Sequence, residues 1–182
     1  MRLLAEPLEG VRLVALEPRH DARGAFTRLY CREALAALGV AETMLQANLS
    51  ASPRQGTLRG LHYQLPPSAE TKLVTCVGGR IHDVVVDLRR GTPGFCRHAS
   101  FALDAARPQL LIVPPGCAHG FLTLSADVTV LYLVSAAFDP ASERGVRYDD
   151  PQFGIRWPAL PALVSERDLA HPPFDAAWHL AW

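Results

Sequence analysis

Short runs of aliphatic, β-branched and aromatic residues recur along the chain, separated by proline and glycine. Val11–Leu16 reads as a first strand, and "DARG" (Asp21–Gly24) as a turn. The one clear helical signal is Arg32–Gly39, "REALAALG", alanine-rich and closed by Gly39. Beyond it the pattern is strand and turn. "TKLVTCV" and "RIHDVVVDL" flank Gly78-Gly79 and predict a hairpin, because a tight primed turn needs positive φ. "PQLLIV" and "GFLTLS" surround "PPG", and Asp127–Phe138 is a long β-branched and aromatic run. Many short strands with this punctuation predict an all-β sandwich or barrel. Prolines 158, 161, 172 and 173 break up the tail beyond Trp157, which predicts short helical turns and coil laid across the barrel. There is no repeat, linker or low-complexity tract, and 182 residues suit a single domain, 1–182.

Charge narrows the function. Eighteen basic residues balance 18 acidic ones, so non-specific nucleic-acid binding, which needs clustered positive charge, is not expected. No segment is long and apolar enough to span a membrane. Acids and a proline come too early in the N-terminal stretch for a secretory signal, so a cytoplasmic protein is expected. Cys31, Cys76, Cys96 and Cys117 form no CxxC pair, which predicts reduced structural thiols and no zinc site.

Three histidines compete as chemical groups. His82, in "RIHDVVV", reads as a structural strand residue. His62, in "LRGLHYQ", and His119, in "PPGCAHGF", lie next to glycine at strand or turn ends, where backbone can approach a ligand. The two could ligate a metal, but His62 lacks a His-x-His partner: Gly60 and Gln64 stand two positions away. Arg59 and His62 are an odd number of positions apart. They reach one pocket only if the strand bulges near Gly60; otherwise Arg59 faces solvent. By period two, Tyr132 shares a face with Val128, Val130 and Val134, a candidate barrel interior.

"DARGAF", "QAN", "GTLRGLHYQ", "KLVTCVGGRIHDVVVDLRRGTPGF", "PPGCAHGFLTLS", "LY", "ERGVRYDDPQFGIRWP" and "SERD" follow one another from about Val11 to Asp168. In order and spacing this set resembles the dTDP-4-dehydrorhamnose 3,5-epimerase family. The resemblance implies a cupin-type jelly-roll β-barrel with short peripheral helices, a homodimer, and no metal or cofactor. It implies a nucleotide-linked 4-keto-6-deoxy sugar as substrate, inverted at the carbons flanking the ketone. His62 is similar to the family's general base and Asp168 to its paired carboxylate. Tyr132 resembles the proton donor, Lys72 the lysine near the ketone, and His119 a further pocket histidine. Arg23, Gln46, Asn48, Arg59, Glu143 and Arg167 fall where the family holds nucleotide, diphosphate or pocket edge. Phe26 is a ring that could stack on the base.

The chemistry suits the residue types. A hydrogen α to a ketone leaves as a proton once a base is positioned, and histidine as a type titrates near neutral pH. Lysine and histidine donors stabilise the enolate oxygen, and tyrosine can reprotonate the opposite face. Three departures touch substrate contacts. Arg28 stands where the family has a base-reading glutamate, Leu49 and Ala51 replace histidine and arginine, and Ala136–Phe138 replaces an aromatic pair. A relative inverting only C3 or only C5, a 3,4-ketoisomerase of the same fold, and a non-catalytic sugar-nucleotide-binding cupin are the rival expectations.

Overall fold

A computed structural model describes residues 1–180. Among these, the N-terminal part carries β1 (Arg2–Leu8), β2 (Val11–Ala15), β3 (Arg19–Asp21), β4 (Gly24–Phe26) and α1 (Arg32–Ala36). The barrel strands follow: β5 (Gln46–Ser52), β6 (Thr57–Gln64), β7 (Lys72–Gly78), β8 (Arg80–Asp87), β9 (His98–Asp104), β10 (Gln109–Val113), β11 (Cys117–Thr123) and β12 (Val128–Val134). The tail holds β13 (Glu143–Gly145), β14 (Leu163–Val164), α2 (Glu166–Leu169) and α3 (Ala176–His179).

Two sheets face each other. One runs β1-β2-β10-β7-β12-β5; the other runs β13-β6-β11-β8-β9, with β14 also paired to β6. All pairings are antiparallel except β14 with β6. Val74, Leu111 and Val130 from the first sheet meet Ile81, Val85 and Phe121 from the second in the central core. The outward residues are buried as well. Leu73, Leu110 and Ile112 lie under Leu35 and Val40, and Leu61, Val84 and Val86 lie under Phe153 and Leu180 of the tail. Burial on both faces explains why these strands read as continuous apolar runs rather than clean alternations.

Two expectations are corrected. The Gly78-Gly79 signal marks a turn, with Gly79 at φ +72°, but not a hairpin. β7 pairs with β10 and β12, while β8 pairs with β11 and β9, so the turn carries the chain from one sheet to the other. Gly79 serves close packing, since a β-carbon there would lie 2.6 Å from Ser125 Oγ. The predicted helix over Arg32–Gly39 ends at Ala36. Gly39, at φ +81°, turns the chain so that Val40 N–H reaches the Leu35 carbonyl at 3.0 Å. Strand β1 was not foreseen; its residues are mostly exposed and lack a buried face. Asp21–Gly24 forms the expected turn, inside the small β3–β4 hairpin.

Candidate active site

Register brings the polar residues together. On the first sheet Tyr132 lies between Asn48 and Val74, and Val134 between Gln46 and Lys72. Cross-strand partners share a face, so Gln46, Asn48, Lys72 and Tyr132 all point one way. On the second sheet His62 stands opposite His119. Arg59 stands opposite Phe121, so β6 spends one more residue than β11 over this interval. The bulge predicted near Gly60 is there, and it turns Arg59 and His62 to one side. Gly60 takes φ +115°, and a β-carbon on it would come 2.7 Å from Gly120 Cα. Only glycine accepts that backbone and that approach.

A cavity of about 560 Å³ opens between the sheets, lined by Arg59, His62, Lys72, His119, Tyr132 and Asp168, with Glu143 and Arg167 at its edge. A second space of about 390 Å³ shares His62, Lys72, Tyr132 and Glu143 and extends to Gln46, Asn48 and Phe138.

Asp168 comes from the tail. Ser165 caps α2 by accepting the Asp168 N–H at 3.1 Å, which places the carboxylate over β6. Asp168 Oδ1 lies 2.7 Å from His62 Nε2, and Gly60 N–H donates to Oδ2 at 3.2 Å. Burial alone would push this carboxyl up. The contacts from His171 and His62 and the Gly60 N–H outweigh burial and hold it well below the usual carboxylate range. An ionised Asp168 calls for Nε2–H on His62, which leaves Nδ1 as the ring's lone-pair nitrogen. Nδ1 makes no hydrogen bond to protein among the described residues.

A second pair stands beside the first. His119 Nε2 lies 2.9 Å from Asp83 Oδ2. Here burial dominates and pushes the Asp83 carboxyl up, while His119 pulls it back. Asp83 is fully buried, with Oδ1 unpartnered. Lys72 Nζ is held 2.6 Å from buried Glu70, which also accepts from Gln64. Arg59 is braced by Ser52 Oγ at 3.1 Å and the Ala51 carbonyl at 3.2 Å. Arg167 pairs with Glu143 at the rim. The cavity thus combines cationic donors, a histidine backed by a carboxylate, and a phenol.

The family model described as dTDP-4-dehydrorhamnose 3,5-epimerase matches residues 5–176. This chain belongs to the dTDP-4-dehydrorhamnose 3,5-epimerase family. It is 41% identical over 164 residues to the dTDP-4-dehydrorhamnose 3,5-epimerase of Sinorhizobium fredii, covering 89% of this chain and 84% of that one. It is also 41% identical over 169 residues to the dTDP-4-dehydrorhamnose 3-epimerase of Streptomyces niveus, covering 92% and 81%. Among solved structures, the dTDP-4-dehydrorhamnose 3,5-epimerase from Bacillus anthracis, with TDP and PPi bound, aligns with TM-score 0.92 at 35% identity. That alignment covers 95% of this chain and 99% of the other. The cupin-type jelly roll expected from the motifs is therefore the fold of this epimerase-family chain.

Not every expected residue reaches the cavity within one chain. Arg23, on the exposed β3–β4 hairpin, is held by Asp21 instead. Phe26, 63% exposed, is not core, and with Arg28 it borders a separate hollow of about 270 Å³ near Met1 and Cys31. Asn48 and Gln46 lie on the edge strand β5, and the Gln46 side chain accepts the Phe138 N–H at 3.2 Å. His82 stays structural, stacked edge-on to Trp157.

Sequence reading missed Glu70, Asp83 and His171. Glu70 carried a signal, since it is an acid two positions before Lys72, immediately ahead of strand β7. His171 carried none that separates it from a surface histidine. His62, Asp168 and His171 place one donor atom each within 4.8 Å of one another. Tetrahedral bonds of about 2.0–2.1 Å would spread donor atoms to roughly 3.3 Å, whereas His62 and Asp168 stand at hydrogen-bond distance.

Proposed function

We propose that this chain converts dTDP-4-dehydro-6-deoxy-D-glucose to dTDP-4-dehydro-L-rhamnose by inverting C3 and C5. One observation carries the reading: the His62–Asp168 pair, at 2.7 Å, lines the same cavity as the Tyr132 phenol and the Lys72 ammonium. His62 takes the proton from the carbon beside the ketone, and the C–H electron pair moves onto O4 as an enolate. Lys72 and His119 donate to that oxygen. Tyr132 delivers its O–H proton to the opposite face of the carbon. Solvent then restores the phenol and removes the proton from His62, so the net reaction is isomerisation. Arg59 and Arg167 hold the diphosphate. No step calls for a metal, and EDTA treatment is expected to leave the rate unchanged.

The protein works as a homodimer in this reading. Arg23, Phe26 and Arg28 lie outside their own chain's cavity, and exposed Phe26 and Leu49 provide apolar surface for an interface. The β3–β4 hairpin of one copy then supplies the nucleotide end of the other's site. Light scattering would return a dimer mass, and Arg23→Ala would raise KM. The location is cytoplasmic. All four cysteines are free, and burial pushes the Cys117 thiol up to about 12, where it is unreactive.

The test is incubation with dTDP-, CDP- and GDP-linked 4-keto-6-deoxy sugars in heavy water, followed by NMR. Deuterium at both C3 and C5 of the dTDP sugar supports the proposal. Deuterium at C3 alone makes the protein a 3-epimerase, and a ketone moved to C3 makes it a ketoisomerase. Binding without exchange makes it a non-catalytic binder.

A further inference from the structure

Asp168 faces two imidazoles. His62 Nε2 bonds Oδ1 at 2.7 Å, and His171 Nε2 lies 3.7 Å from the same oxygen. The two rings meet edge to face, with centroids 5.8 Å apart and planes at 75°. His171 Nε2 is buried and has no hydrogen-bond partner. Its ring occupies a slot on β13, where a β-carbon on Gly145 would overlap it. Gly145 is itself the register partner of His62, so the slot adjoins the base. A buried ring nitrogen without a partner is costly. The acceptor it faces is Asp168 Oδ1, and closing the gap to about 2.9 Å makes the bond. The low-lying Asp168 carboxyl is consistent with support from both rings.

We propose that His171 is a positioning residue for His62 that acts through Asp168. Its ring N–H steadies Oδ1, keeps the carboxylate aimed at His62 Nε2, and so maintains the tautomer in which Nδ1 is the base. His171 lines neither space of the cavity. The kinetic arm of the test rests on the epimerase reading, while the spectroscopic arm does not.

Two variants separate chemistry from volume. His171→Gln keeps an N–H donor, and His171→Phe keeps the ring and loses the donor. With dTDP-4-keto-6-deoxyglucose as probe, His171→Phe is expected to lower kcat roughly 10-fold or more with KM little changed. His171→Gln retains most of the wild-type kcat. In ¹⁵N-histidine-labelled protein at fixed pH, the His62 ring shifts move toward a tautomer mixture in His171→Phe and stay wild-type-like in His171→Gln. Wild-type kcat and unchanged His62 shifts in His171→Phe overturn the proposal, as does rescue by Phe but not Gln. If His171→Phe does not fold, His171→Leu supplies the same comparison. A wild-type protein that exchanges no deuterium defeats the epimerase reading alone, because the His62 shifts still decide the role of His171.

Discussion

Asp168 lies 2.7 Å from His62, a residue 106 positions earlier in the chain. The contact joins the tail to the barrel at the point where β6 bulges, and the Gly60 N–H that the bulge exposes goes to the other carboxylate oxygen. One short helix thus supplies the carboxylate, and one glycine supplies both its second ligand and the aim of the imidazole.

Replacing Asp168 with Asn preserves shape but offers His62 a neutral partner that no longer selects the Nε2–H tautomer. Deuterium exchange into the dTDP sugar should fall by about 10²–10⁴-fold, with substrate binding little affected. Kinetics in heavy water against equilibrium binding would separate the two.

The same carboxyl gives a pH signature of stability. Its folded-state pKa is depressed, so its stabilisation is full above the unfolded value of about 3.9 and is lost as pH falls below it. The Tm difference between wild type and Asp168→Asn should therefore be largest near pH 6 and shrink toward pH 3. A constant difference across that range in a thermal-melt series would contradict this linkage.

Tyr132→Phe removes the phenol proton while leaving His62 and Asp168, the proposed base and its carboxylate, in place. Deprotonation should survive, so deuterium still enters the substrate while inverted product falls by roughly 10²-fold or more. NMR reports both quantities from one sample.

Lys72 depends on Glu70, which is only 6% exposed. Glu70→Gln keeps hydrogen-bonding capacity but removes the counter-charge. Breaking a buried pair from one side costs about 3–5 kcal/mol, so denaturant melts should show a clear loss of stability, with slower exchange from a misplaced ammonium.

Gly60→Ala tests the bulge. The added methyl meets the Gly120 backbone at a left-handed φ, and neither strand can yield without breaking pairing. A loss of roughly 1–3 kcal/mol is expected, with reduced exchange because Arg59 and His62 no longer share a face. Calorimetry and the heavy-water assay check the two effects.

Much of this was legible from local pattern. Short β-branched and apolar runs bounded by turn residues located most barrel strands, the inward face of Tyr132 followed from period two, and the parity conflict between Arg59 and His62 called for the bulge that Gly60 provides. Motif order pointed to His62, Lys72, Tyr132 and Asp168 as one set. The Gly78-Gly79 turn misled because turn chemistry is local, whereas the choice of partner strand is not.

The amino-acid order by itself determined which residues form strands, where the backbone can bulge, and which side chains carry a base, a donor or a cation, because these depend on neighbours a few positions away. Only the tertiary structure decided which strands pair across the two sheets, that the tail lays Asp168 against His62, and that His171, Glu70 and Asp83 stand behind the site. Those choices come from burying both faces of each sheet at once, a condition no short segment can sense.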